Sequence, residues 1–293
     1  MPDPDSPFRN TPFRPVAQRP VAVVLGAGRT GTSLLMQALA ALGVRVSGEL
    51  IPPRSDNPRG FFEDVPIVRI QANLLRALGA WPFHPLPADW LSHPATAEAR
   101  LELGRLLAAQ LEAPGLWAFK DPRTAAFLPL WQALFTELGV TPKYILALRH
   151  PGSVVASFQK AYGTPAAEAE AVWLRRTRDA LAYTGADCPE YPCHIVHYED
   201  WFTREADLLT DLAEYLELEP PAAPPAIAQP DLNRSLNPDY RFQNPETEAL
   251  YAALAMCRGS CFDREALRPW MHADPNLAAA TVQPAYGGGK PAR

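Results

Sequence analysis

Cysteine is scarce in this chain. Cys188, Cys193, Cys257 and Cys261 are all that 293 residues hold, too few and too scattered for a disulfide framework, and no pair has CxxC spacing, so reduced thiols are expected. No apolar run approaches the roughly 20 residues that a membrane-spanning helix needs, and no charged-then-apolar leader opens the sequence, so no membrane span and a cytoplasmic location are expected. Positive charge is not in excess either: the formal net charge is −5 and the pI about 5.7. The broad basic face of a nucleic-acid binder is therefore missing, which excludes nucleic acid as a main partner. His194 and His197 have no second group of Cys, Asp or Glu at metal-ligand spacing, so no metal is expected. Internal repeats are lacking as well.

Hydrophobic residues, at 47%, are plentiful. Apolar runs near 21–25, 116–119, 144–148 and 194–198 predict strands, and helical composition over 100–111, 124–138, 166–183 and 200–216 fills the intervals, with Thr164-Pro165 as a helix start. Alternating strands and helices predict an α/β fold, a central parallel sheet with helices on both faces and a ligand at its carboxyl edge. The Pro-rich stretch 1–19, with Pro-Phe-Arg at 7–9 and again at 12–14, reads as a flexible arm. The glycine-rich 281–293 reads as a flexible tail, which leaves 20–280 as a single domain.

The most informative segment is Val21 to Leu42. Five unbroken apolar residues, Val21 to Leu25, run into a loop of Gly26, Gly28 and Gly31, and Leu35, Leu39 and Leu42 then take up helical spacing. Glycines let backbone N–H groups approach an anion, and Thr30, Thr32 and Ser33 add hydroxyls where a helix begins. Two templates fit. As GxGxxG, with Val44 and Val46 on a second strand and Glu49 for ribose hydroxyls, the loop would bind a dinucleotide and the chain would be an NAD(P)-dependent oxidoreductase. As a GxxxxG phosphate loop it has Thr32 where the usual Lys stands, which argues against nucleoside-triphosphate hydrolysis.

A second strand-to-helix junction, Tyr144 to Leu148 followed by Arg149-His150-Pro151-Gly152 and then Ser157, carries a family resemblance. An Arg at a strand end, eight positions before a Ser on the next helix, resembles the 3′-phosphate site of sulfotransferases that use 3′-phosphoadenosine 5′-phosphosulfate (PAPS). Arg29-Thr30-Gly31-Thr32-Ser33 resembles the same family's 5′-phosphosulfate loop, K-S-G-T-T, with Arg29 in the Lys position. The stretches 57–64 (NPRGFFED), 120–123 (KDPR) and 197–200 (HYED) resemble bacterial members, so the likeness spans Val21 to Trp201. It implies the sulfotransferase version of the P-loop fold. It also implies PAPS as donor and 3′-phosphoadenosine 5′-phosphate (PAP) as product, held by Gly28, Arg29, Thr30, Gly31, Thr32, Ser33, Arg149 and Ser157.

With a net-negative chain, PAPS needs a local cationic cluster, for which Arg29, Lys120, Arg123 and Arg149 are candidates. The resemblance gives Arg29, supported by Lys120, the role of stabilising the leaving phosphate. Glu63 is the candidate base, because Phe61 and Phe62 beside it would desolvate the carboxylate and raise its pKa. Asp64 and Asp121 are alternatives. The pattern departs from the family in two places: Pro122 stands where some relatives have a His, and Glu63 follows the Phe pair that a Glu precedes in others. The missing His also admits a non-catalytic nucleotide-binding regulator. Structural readings compete for several residues: Asp64 as a helix cap, Glu199 and Asp200 at a helix start, and His150 as a packing residue. The expected acceptor is a small molecule, glycan or lipid-like hydroxyl or amine. Trp81-Pro82-Phe83-His84-Pro85 with Asp89-Trp90 is a candidate wall or lid for it, and Arg234 with Tyr240 to Asn244 a candidate closure over the nucleotide.

Overall fold

A computed structural model describes residues 20–55, 57–80, 84–184, 193–220, 226–229, 235–263 and 265–271. Its elements follow in chain order as β1 (Val21–Leu25), α1 (Thr32–Ala41), α2 (Val65–Ala77), α3 (Pro94–Glu112), β2 (Trp117–Lys120), α4 (Leu128–Leu138), β3 (Pro142–Leu148), α5 (Pro151–Tyr162), α6 (Ala166–Thr184), β4 (Cys193–His197), α7 (Glu205–Tyr215), α8 (Pro245–Leu254) and the short α9 (Arg268–Met271). The four strands pair in parallel in the order β2-β1-β3-β4. Every residue of β1, β2 and β4 is buried, which explains why these strands read as unbroken apolar runs: helices cover both faces.

Strand alternation sorts the side chains into two cores. Val21, Val23, Leu25, Trp117, Phe119, Tyr144, Leu146 and Leu148 point to the face covered by α2 to α6. Ala22, Val24, Ala118, Ile145, Ala147 and Val196 point to the face covered by α1 and α7. The first face carries the large aromatics. Trp117 stacks on Phe119 at 4.9 Å, Phe119 lies 4.5 Å from Trp131, and Trp131 lies 5.8 Å from Phe135. Because α1 leaves β1 toward one face and α5 leaves β3 toward the other, a crevice opens between the two loops at the carboxyl ends of neighbouring strands, the usual ligand position in such sheets.

Local chemistry sets the element ends. Asp64 caps α2, accepting from the Ile67 N–H at 3.0 Å, which is the structural role its place before Val65-Pro66 predicts. The expected helix 124–138 begins instead as a 3₁₀ turn, Thr124–Phe127, and becomes α4 at Leu128. Pro129 has no N–H to give the carbonyl four residues back, so a continuous α-helix cannot pass through it without losing that bond. Similarly, 200–216 divides into a 3₁₀ turn at Glu199–Phe202 and α7. Val44 and Val46 form no strand: Arg45 alone bridges Trp117, so the second strand of the dinucleotide template is absent and β1 lies between β2 and β3.

His194 sits in β4 with Nδ1 3.1 Å from Ser260 Oγ. His197 Nε2 lies 2.8 Å from the Cys257 carbonyl, and the His150 ring meets Tyr251 edge-on at 4.8 Å. All three are structural. Burial pushes His194 down to about 4, and burial likewise lowers His150 and His197. The unfolded chain binds protons that these buried rings refuse. Stability from this source is therefore complete above about pH 6.5 and falls as the pH drops from there toward 4. Urea unfolding at pH 7 and pH 5 should show a loss of stability on acidification, of which His194 accounts for up to about 2 kcal/mol. His194→Gln should flatten that part of the profile, and an unchanged slope would refute the assignment.

Candidate functional site

The crevice widens into a cavity of about 880 Å³ lined by the β1 loop, residues of the segments 54–55 and 57–63, the end of β2, Arg149 and parts of α5 and α6. Its strongest feature is the guanidinium of Arg149. The β3–β4 register sets Leu148 against His197, so the next residues, Arg149 and Tyr198, are neighbours, and the guanidinium carbon lies 4.2 Å from the Tyr198 ring centroid. Arg149 Nη1 donates to the Arg29 carbonyl at 3.2 Å. Nε and Nη2 are buried and have no hydrogen-bond acceptor among the described residues. Burial lowers the Arg149 pKa, an effect that Arg29 adds to and that Tyr198 and Glu199 oppose; at any relevant pH an arginine still carries its charge. A buried cation with two unfilled donors is costly unless an anion completes it.

The β1 loop brings the rest of the grip into place. Arg29 adopts a left-handed conformation, φ 70°, which is rare and strained for a non-glycine residue. Its side chain crosses to α5, where Nε donates to Ser157 Oγ at 2.9 Å. Arg29, Arg149 and Ser157, spread over 128 residues of chain, thus meet in one cluster. Gly31 is required on two counts: its φ is 93°, and a Cβ there would stand 2.3 Å from Tyr198 Cδ2. Thr32, Ser33 and Leu34 form the first turn of α1, whose N–H groups have no helical acceptor and face an anion position.

The hydroxyls behave less uniformly than the motif suggests. Thr30 Oγ1 donates to the Ala27 carbonyl at 2.8 Å and is buried; it stabilises the loop and does not line the cavity. Ser33 Oγ donates to the Phe61 carbonyl at 2.9 Å, tying the segment 57–63 to the loop. Thr32 and Ser33 both line the cavity, with Gly28 and Gly31.

On the other flank of β1, the end of β2 supplies Lys120, whose Nζ donates to Glu63 Oε1 at 2.7 Å, with Arg123 Nη2 at 4.0 Å from Glu63 Oε2. The setting of Glu63 therefore differs from the aromatic one expected. The Phe61 ring lies under Arg54 at 5.6 Å, Phe62 packs toward the α1–α7 core, and the carboxylate meets two cations. Asp121 is fully enclosed, accepting from Gln71 Nε2 at 2.8 Å and from Arg123 Nε at 2.8 Å. Neither Asp121 nor Asp64 lines the cavity, so both serve structure.

Other expected residues fall outside the cavity. Glu49 does not line it. Glu199 accepts from the His150 N–H at 3.1 Å and Asp200 pairs with Arg258 at 2.7 Å, both structural. Tyr240, Gln243 and Asn244 dock on α6 through buried Glu170, with Tyr240 Oη donating at 2.6 Å and the two backbone N–H groups at 3.0 and 2.9 Å; Ser235 just before them reaches the cavity. Trp90 is core, edge-on to Phe127 at 5.5 Å. Arg234, Trp81, Pro82 and Phe83 lie outside the described residues. Sequence reading missed Tyr198 as a partner of Arg149, although it ends an apolar strand as Lys120 does. It also missed the cavity-lining cations Arg54, Arg59, Lys160 and Arg176.

Among the described residues no helix is long and apolar enough to cross a membrane, and no group of His, Cys, Asp and Glu could hold a metal ion. None of the curated proteins matches the chain significantly. The sulfotransferase domain of the Synechococcus PCC 7002 olefin synthase is similar at 17% identity, with 94% of this chain and 98% of that chain covered and a TM-score of 0.49. The model of the sulfotransferase family matches residues 20–222, more than two thirds of the sequence, and on that match the chain belongs to the sulfotransferase family.

Proposed function

We propose that the protein transfers a sulfuryl group from PAPS to a hydroxyl or amine of a small-molecule acceptor. The observation that carries this reading is the pair of unfilled donors on buried Arg149, set beside Arg29 and Ser157. They fit a phosphate monoester, which accepts from a planar fork and a hydroxyl at once. The first-turn N–H groups of α1 suit the phosphosulfate end, and the width of the loop separates the two grips.

Lys120 and Glu63 divide the chemistry. The acceptor oxygen attacks sulfur in line, an O–S bond forms, and the bond from sulfur to the bridging oxygen breaks with its electron pair passing to the 5′-phosphate. The acceptor's proton goes to Glu63. Once that carboxylate is protonated, its attraction for Lys120 falls, and the ammonium is released to the charge growing on the bridging oxygen. Charge stabilisation of this kind inside a water-poor site is the main catalytic resource in transfers with little covalent participation by the protein.

Four measurements test this reading. Calorimetry should detect PAP binding, and its absence at about millimolar ligand, a free energy near −4 kcal/mol, would remove the reading. Arg149→Lys, which keeps charge but loses the fork, should weaken PAP by about 10- to 100-fold, and Ser157→Ala by several-fold. Glu63→Gln should leave PAP affinity within about twofold while lowering turnover by about 10²- to 10⁴-fold; equal losses of affinity in all three variants would contradict this assignment. Gly31→Ala pushes its Cβ into the ring that supports Arg149, so PAP affinity should fall by about tenfold or more. Retained affinity in that variant would show that Tyr198 does not position the guanidinium.

A further inference from the structure

Among the described residues the cavity wall holds eight Arg and Lys side chains and one carboxylate, Glu63. The donor reading uses Arg29, Lys120 and Arg149, which leaves five cations. Arg176 differs from the others of that five in being buried, with a side chain only 9% exposed, inside α6 on the flank of β1 where β2 ends. Its hydrogen-bond partner is Asp179, one turn along the helix, with Nη1 to Oδ2 at 3.5 Å, the outer limit of such a bond. Asp179 also faces Arg175 and Arg178, so one carboxylate is shared among three arginines and compensates Arg176 only in part. Arg123 also faces Arg176 and opposes its charge, while Asp121 favours it. Asp121 is already engaged by Gln71 and Arg123.

Two flanks of one cavity therefore present two under-compensated guanidiniums. Arg149 lies on the β3 side with the phosphate-type grip. Arg176 lies on the β2 side, close to Arg123, which approaches Glu63 within 4.0 Å. Arg176, Arg123, Lys120 and Glu63 line one cavity, so a group held at Arg176 shares that space with a hydroxyl presented to Glu63.

We infer that the acceptor is an anion, a hydroxylated acid whose carboxylate or comparable oxyanion is recognised by Arg176, which makes Arg176 a specificity-determining residue. This rests on the donor reading above. A planar guanidinium with incomplete pairing recognises an oxyanion through two parallel donors, whereas a neutral isostere would leave it buried and unfilled. Discrimination by unpaired polar groups is strong where discrimination by shape is weak.

The test uses the full chain saturated with PAP and a matched pair of probes, 4-hydroxyphenylacetate and its uncharged amide, followed by calorimetry. The carboxylate should bind at least tenfold more tightly than the amide. In Arg176→Gln the preference should shrink below threefold while PAP affinity stays within twofold. Because that change strips Asp179 of its hydrogen-bonded cation, the double variant Arg176→Gln/Asp179→Asn keeps the local charge balanced and should show the same loss with an unaltered circular dichroism spectrum. The inference is overturned if carboxylate and amide bind equally, if the carboxylate does not bind, or if the preference survives in both variants. Failure of PAP itself to bind would instead overturn the donor reading, and the two failures are told apart at the first titration.

Discussion

The site depends on one interaction, the buried Arg149 guanidinium lying on Tyr198 and donating to the Arg29 carbonyl. Each part of it has a cause elsewhere in the fold. The parallel register of β3 and β4 sets Arg149 beside Tyr198. Gly31 leaves room for the Tyr198 ring, which any Cβ at that position would strike. The carbonyl faces Arg149 because Arg29 accepts a left-handed backbone, a conformation costing of order 1 kcal/mol or more that persists only where surrounding contacts over-determine it. Stability is thus spent to hold a cation whose remaining donors point at a ligand position, which is preorganisation in the sense that matters for binding and transfer.

Much of this was legible in the sequence because the signals were local. Unbroken apolar runs mark strands covered on both faces, and the four expected strands each lie within a residue or two of those observed. Asp64 announces its cap through Val65-Pro66. The loop and the Arg149–Ser157 spacing could be paired because both resemble motifs of one family, and the fold places both after strands that end at one sheet edge. What escaped was non-local. Nothing near Glu63 in the chain signals that Lys120, 57 positions away, will pair with it, and the adjacent phenylalanines suggest an aromatic environment instead. Thr30 and Thr32 look equivalent in the motif, yet the tight turn at Gly26 to Gly31 directs the Thr30 hydroxyl back to Ala27. Arg176 sits in a run of arginines on a helix, a pattern usually read as a solvated face, and only the packing of α6 over the cavity shows that it is buried.

A chain with net charge −5 therefore carries a strongly positive cavity. The contrast has a consequence for association: acidic surface repels polyanions in general, whereas a recessed positive cavity focuses its field on small anions able to enter it. For the proposed bisphosphate donor, discrimination against a nucleic-acid backbone would come from shape and charge acting together, without base-specific contacts. Exposed cations at the mouth, such as Lys160, act mainly at a distance and are screened by salt, while Arg149 and Arg176, enclosed in the wall, are screened far less.

The ion pair of Glu63 and Lys120 links the two halves of the proposed reaction through a single hydrogen bond of 2.7 Å. While the pair is intact, each member restrains the other: the carboxylate holds the ammonium away from the donor, and the ammonium stabilises the carboxylate. Arrival of the acceptor proton removes one charge and frees the other at the moment when negative charge appears on the leaving oxygen. Sulfuryl transfer to water would exploit the same pair, so protection of the donor must come from keeping the acceptor position occupied or closed to solvent. An acceptor anchored at its far end by Arg176 would meet that need, because its charge brings it into a cavity that would otherwise fill with water beside a reactive donor.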